Sequence, residues 1–314
     1  MKYKDWLNMW LDNYVKLTVK ARTLQRYTEI VVLYLCPAFG EYEIDELSSI
    51  KIQRFVTELL EHGNKRTGKG LSASAINSII TIVQTSLQTA YNLGLTQKSF
   101  AGKIKRPRLN EKRIECFSVD EQKKIEKVIA ESKKPYLIGI ILCLYTGLRI
   151  GELLALEWKD IDYGNGTLTV EKNCYYGKGN GKTFSRMIDV PKTSSSRRII
   201  PIPKQLLPML KTNAQNNDSL YLIAKNGKPI SIRTYQRNFE RLLEKSCISH
   251  RGFHALRHTF ATRAIECGMD VKTLSEVLGH KNPTITLNRY AHSLMEHKKA
   301  MMDQLGKLYK NNTY

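Results

Sequence analysis

Seven side chains in the second half of the chain stand out for their type and spacing. Arg149, in TGLRIGELLAL, directly follows an apolar run, and Glu152 lies three residues on, which puts the two on one helix face. His254 and Arg257, in HALRHTFAT, are again three apart on one face, with His258 adjacent and pointing elsewhere. His280 follows Gly279 at a helix end in LGHKNPTIT, and Tyr290 comes ten residues later in LNRYAH. Lys192 sits at the mouth of a hairpin turn in PKTSSSRR. A His and an Arg on one face can bind an anion together. Taken singly, the others read more simply. An Arg–Glu pair is usually a surface salt bridge, a lone Tyr is core or interface, and a turn Lys is exposed.

The charge balance points the same way as the His–Arg pair. Lys and Arg number 50 against 29 Asp and Glu, a net charge of +21. Such an excess favours a polyanionic partner, because neutralised phosphates release their counterions. DNA, RNA and anionic membrane surfaces all meet that description. No apolar run reaches the roughly 20 residues that span a bilayer, and MKYKDWLNMWLDNY lacks a signal-peptide core, so the expectation is a cytoplasmic protein. The six cysteines are scattered without CxxC spacing, which suits reduced thiols better than disulfides or a zinc site.

The elements that must position these groups fall into two domains, as 314 residues allow. Residues 1–102 read as a small helical bundle. Trp6, Leu7, Trp10, Leu11 and Tyr14 form one apolar stripe, and Ile76, Ile79, Ile80, Val83, Leu87 and Tyr91 form another. A second helix runs from about Lys20 to Leu35 and stops before Pro37; Ser48 and Gly63 bracket a third, Ser72 and Gly94 a fourth. The loop NKRTGKG offers Lys65, Arg66 and Lys69 to phosphate, or to solvent. Residues 103–115 read as a basic linker carrying Lys103, Lys105, Arg106 and Arg108, either a solvated hinge or an arm along a DNA backbone.

The second domain, 116–292, opens with a capping box at Ser118-Val-Asp-Glu121. An apolar segment ends at Thr146-Gly147, and a short helix follows from about Arg149 to Trp158. Strands are expected at 167–171, 184–190 and 197–202, with KTSSSRR turning between the last two. Helices are expected from Ser231, from about His254 to Cys267, from Asp270 to Gly279, and from Asn282 with Pro283 at the first position. A C-terminal helical tail is expected over 293–314, amphipathic over 293–310 with Leu294, Met301, Leu305 and Leu308 at helical spacing.

Taken in order, TGLRIGELLAL, PKTSSSRRIIPIP, HALRHTFAT, LGHKNPTIT and LNRYAH resemble the active-site boxes of the tyrosine recombinase (phage integrase) family. WLDNY, ARTLQRYTEI and CPAFGEYEIDELSSIKIQRF resemble that family's core-binding domain, so the likeness covers nearly the whole chain. It looks closest to integrases of conjugative transposons and Gram-positive phages. The resemblance implies a mainly α fold with a small antiparallel β-sheet: a helical, SAM-like core-DNA-binding bundle followed by an α+β catalytic domain. By the same token Tyr290 matches the nucleophile, Arg149 and Arg257 the two arginines, and Lys192 the hairpin lysine. His254 matches the partner of Arg257, His280 the position held by His or Trp, and Glu152 the acidic support of Arg149. Ala255 stands where many members have Asp, at a position outside the catalytic set. Some members carry a further N-terminal arm-binding domain, whereas this chain starts directly at the core-binding helices.

The reaction implied is phosphoryl transfer at a DNA phosphodiester, in which positioning and electrostatics do most of the catalysis. Two arginines clamp oxygens with paired donors in a way lysine cannot. Lys192 is the candidate acid for the leaving 5′ oxygen. His254 is the candidate to take the tyrosine proton, an imidazole titrating near ~6.5 and a phenol near ~10. Neither metal nor cofactor is expected. The expected partners are double-stranded DNA, three further copies of the chain on two DNA sites, and accessory directionality or DNA-bending proteins. The competing readings are a type IB topoisomerase-like relaxing enzyme and a non-catalytic DNA-binding accessory protein.

Overall fold

The computed structural model describes residues 1–100, 104–109, 115–178, 184–189, 197–280, 282–284, 287, 298–299 and 301–307. The chain divides into two compact units, Met1–Lys112 and Arg113–Tyr314.

In the first unit, helices α1 (Tyr3–Trp10), α2 (Ala21–Ile30), α3 (Ser49–His62) and α4 (Ala73–Asn92) enclose one core. The aromatic stripe of α1 is buried with its polar tips satisfied, as buried Tyr and Trp require. Trp6 Nε1 donates to Ser86 O at 3.1 Å, and Tyr3 OH pairs with Ser86 Oγ at 2.7 Å. The stripe ends sooner than its spacing predicts. Leu11–Val15 is a π-turn, which adds residues to the turn and rotates Tyr14 outward to 39% exposure. A second π-turn, Val31–Leu35, lets the chain run past the expected stop at Pro37. The proline sits at the start of the short helix Cys36–Phe39, where a missing N–H costs little. Ser48 and Ser72 cap α3 and α4 as their types predict, while Tyr91, assigned to the buried face, is exposed.

The expected linker departs most from its sequence reading. Ile104 is buried in the first core, Lys105 N donates to Gln53 Oε1 at 2.9 Å, and Asn77 Nδ2 donates to Pro107 O at 3.2 Å. One apolar side chain and two amides thus fasten 104–109 to the first unit, beyond the boundary drawn at 102. Composition alone, rich in Lys and Arg, concealed the anchor.

The second unit begins with α5 (Val119–Ala130), capped by the Ser118/Glu121 box. The mostly apolar α6 (Ile138–Thr146) packs into its core and ends at Gly147, which has a left-handed φ of 67°. The expected helix from Arg149 to Trp158 is shorter: α7 (Ile150–Leu153), then a separate 3-10 turn at Trp158–Asp160. Strands β1 (Ile161–Asp162), β2 (Thr167–Val170) and β5 (Arg198–Pro201) make an antiparallel sheet in the order β1-β2-β5, with Leu168 opposite Ile200. Strands β3 (Asn173–Lys178) and β4 (Phe184–Asp189) form a separate hairpin. The expected pairing of 184–190 with 197–202 is therefore replaced: β4 pairs with β3, and β5 with β2. Strand β3 is not legible in the sequence, because its Asn and Gly residues weaken the strand pattern.

Helices α8 (Leu207–Gln215), α9 (Ile232–Lys245), α10 (Ala255–Glu266) and α11 (Val271–Leu278) complete the unit. Ser231 and Asp270 cap α9 and α11 as predicted. Gly279, with φ 64°, ends α11. Asn282 Oδ1 accepts from Thr284 N at 2.9 Å, with Pro283 helical. Of the tail, 301–307 is helical and exposed; Leu294 and Leu308 lie outside the described residues. No helix among the described residues is long and apolar enough to cross a membrane.

Candidate active site

Three of the predicted residues meet where α6 ends, α7 begins and α11 ends. Arg257, on the first turn of α10, is 2% exposed. Its NH1 donates to Gly147 O at 2.8 Å and its NH2 to Leu278 O at 2.7 Å. The same NH2 lies 2.8 Å from His280 Nε2. A guanidinium only donates, so that imidazole nitrogen accepts, and the ring's own N–H is at Nδ1. Gly147 and Gly279 make this corner possible. Both have left-handed φ, and a Cβ on Gly147 would sit 2.5 Å from Phe260 Cδ1.

Arg149 precedes α7 in extended conformation. Glu152 reaches back to it: Arg149 N donates to Oε2 at 2.9 Å and Arg149 NH1 to Oε1 at 2.7 Å. Arg149 NH2 lies 3.4 Å from Gly279 O, beside His280. The pair is not the surface salt bridge that its spacing alone suggests. The Glu152 side chain is 4% exposed, that of Arg149 35%. A buried carboxylate must have its remaining lone pairs satisfied as well, and here the second partner is Arg198, a residue outside the predicted set. Arg198 NH1 and NH2 donate to Glu152 Oε1 and Oε2 at 3.1 and 2.9 Å, and its Nε donates to Val277 O at 2.6 Å. Burial pushes the Glu152 carboxyl pKa up, but Arg198 and then Arg149 outweigh it and bring it down to about 2. A period-2 reading of RRIIPI could have found Arg198, since it shares the inward face with buried Ile200 and Ile202.

His254 immediately precedes α10 and is exposed. His258 does not point elsewhere. Four residues on is the same helix face, and the two rings meet edge to face with centroids 4.7 Å apart. Lys192 and Tyr290 lie outside the described residues, so the described part of the site comprises Arg149, Glu152, Arg198, His254, Arg257 and His280. No group of three or more His, Cys, Asp or Glu among the described residues could hold a metal. The arrangement can bind an anion: one guanidinium rigidly seated, a second half exposed beside it, and an imidazole donor next to both.

Among the candidate phosphate contacts of the first unit, Lys65, Arg66 and Lys69 are exposed on a loop shaped by Asn64, whose Oδ1 accepts from Arg66 N and Thr67 N at 3.1 and 3.2 Å. Lys105 and Arg108 are exposed too. Arg106 is exposed but engaged, donating to Asn77 O, Thr81 Oγ1 and Gln84 Oε1 at 3.2, 3.1 and 2.7 Å, all on α4. Lys103 lies outside the described residues.

The model of the phage integrase family matches residues 117–297, and that of the phage integrase N-terminal SAM-like domain matches residues 2–60. The chain is 31% identical to a tyrosine recombinase XerC-like protein of Caldanaerobacter subterraneus subsp. tengcongensis, over 97% of this chain and 83% of that one. It is 26% identical to the ICEBs1 integrase of Bacillus subtilis, over 92% of this chain and 78% of the relative. The Tn1549 transposon integrase, solved in complex with transposon right end DNA, superposes with a TM-score of 0.79 at 25% identity, covering 98% of this chain and 100% of that one.

Proposed function

The chain belongs to the phage integrase family, whose members are DNA-cleaving and rejoining enzymes, and we propose that this one recombines DNA at specific sites through Tyr290. The observation that carries the reading is the convergence of Arg149, Arg257 and His280 on the corner formed by Gly147 and Leu278–Gly279. Two guanidiniums and an imidazole N–H suit the non-bridging oxygens of a phosphodiester, whose charge grows in the transition state. Loss of one such donor costs about 3–4 kcal/mol of transition-state stabilisation.

In the proposed step the Tyr290 oxygen attacks phosphorus and its proton passes to His254. The bond from phosphorus to the 5′ oxygen breaks, and Lys192 protonates that oxygen as it leaves. The 3′-phosphotyrosyl ester keeps the energy of the original bond, so a 5′ hydroxyl of another strand can reverse the reaction without nucleotide hydrolysis. The natural substrate is the pair of ends of a mobile element, a reading supported by the likeness to the Tn1549 transposon integrase solved with transposon end DNA. The reaction takes place in the bacterial cytoplasm on nucleoid DNA. Recombining two duplexes with one nucleophile per strand calls for four protomers, with accessory proteins biasing direction.

A nicked suicide substrate tests the reading. The wild-type protein should become covalently attached to DNA, and Tyr290→Phe should bind the same DNA without attaching. The stalled variant on two-site DNA should have the mass of four protomers. An adduct that survives in Tyr290→Phe would reject the assignment of the nucleophile.

A further inference from the structure

Glu152 is held by four donors, two from each arginine. Each carboxylate oxygen accepts once from Arg149 and once from Arg198. The two arginines nonetheless stand in different situations. Arg198 has its side chain 6% exposed and commits Nε, NH1 and NH2 to Val277 O and Glu152, bridging the sheet to α7 and the end of α11. Arg149 spends one guanidinium nitrogen on Glu152 and is 35% exposed.

The physics of a buried carboxylate explains the division. Glu152 must be paired, and whatever pairs it is drawn inward. With Arg198 supplying a two-pronged contact, Arg149 need donate only NH1 and its backbone N–H. Without Arg198, the buried charge would draw the whole Arg149 guanidinium down onto itself and away from any anion outside. We infer that Arg198 is a positioning residue: by saturating Glu152 from the β5 side, it keeps the guanidinium of Arg149 turned out toward the scissile phosphate. The inference rests on the reading of Arg149 as a phosphate ligand. A lysine at 198 would keep the charge but could not span both carboxylate oxygens and the Val277 carbonyl at once.

The test compares wild type, Arg198→Lys, Arg198→Met, Arg149→Lys and the Arg149→Lys/Arg198→Lys double variant on the nicked suicide substrate under single-turnover conditions. Affinity for uncut DNA is measured beside it, in a Tyr290→Phe background, together with thermal unfolding. Arg198→Lys should form the phosphotyrosyl adduct about tenfold or more slowly, with DNA affinity changed by less than about twofold. The defect should be non-additive: adding Arg198→Lys to Arg149→Lys should slow the reaction further by less than about threefold, because both changes disable the same guanidinium.

A substrate with sulfur in place of the bridging 5′ oxygen gives the second readout. Its leaving group needs no proton, so it relieves a defect in the general acid but not one in the oxyanion clamp. The Arg198→Lys defect should persist on it. Wild-type rates in Arg198→Lys would overturn the proposal. So would full additivity with Arg149→Lys, or recovery on the sulfur substrate, which would place the effect on Lys192 instead. Parallel losses of melting temperature, DNA affinity and rate in Arg198→Lys would also overturn it, by reducing Arg198 to a fold support; Arg198→Met marks how far such a loss can go. A wild-type protein that forms no adduct would instead sink the recombinase reading itself.

Discussion

Glu152 is where acid acts on the site. Its ordinary carboxyl value is 4.5; burial would raise it, and Arg198 with Arg149 lowers it to about 2 in the folded protein. A carboxylate depressed by folding contributes stability that is fully present above the unfolded value and lost as pH falls through the folded one. The contribution should therefore hold above pH 4.5 and drain away between 4.5 and about 2. Glu152→Gln, which leaves Arg198 buried without its counter-charge, should cost about 3–5 kcal/mol at neutral pH. The gap to wild type should narrow across that acid window in denaturant titrations at a series of pH values. A gap that stays constant down to pH 2 would contradict the ion-pair account. Arg149, Arg257 and His280 could be found from the chain because they sit in short, ordered boxes. Arg198 stands in such a box too, and the alternation of RRIIPI turns it inward, but its partner is a carboxylate 46 residues earlier in the chain, which no local pattern names.

At the scale of elements, local chemistry was readable and pairing was not. Ser48, Ser72, Ser118, Ser231 and Asp270 each cap the helix that their position announces, because a cap involves only the next three residues. The partner of a strand is a long-range choice, and β4 pairs with β3 rather than with the strand that follows it in the chain. The π-turns were equally hidden, because no residue type marks them. Gly147 joins both levels: a local stop to α6, it also leaves room for Phe260 and Leu278, whose atoms come within 2.5 and 2.8 Å of where a Cβ would stand. Gly147→Ala should destabilise the protein by about 2–4 kcal/mol, combining left-handed backbone strain with overpacking. Chemical denaturation measures the loss, and a variant as stable as wild type would show that the corner relaxes freely.

For the whole molecule, the net charge of +21 sets the terms of association. If Lys65, Arg66 and Lys69 each neutralise a phosphate, replacing all three by Ala should lower the slope of log affinity against log salt by about 2–3. Fluorescence anisotropy at several salt concentrations reads that slope, and an unchanged slope would remove the loop from the DNA interface. The basic arm that follows α4 was recognised by its composition, but its allegiance was not. Ile104 and the Gln53 and Asn77 amides make 104–109 part of the first unit. A chimera that takes its first unit from a relative therefore has its seam after residue 109, toward the unit boundary at Lys112. A cut at 102 would take Ile104 out of the first core and graft Lys105, Arg106 and Arg108 onto a foreign host.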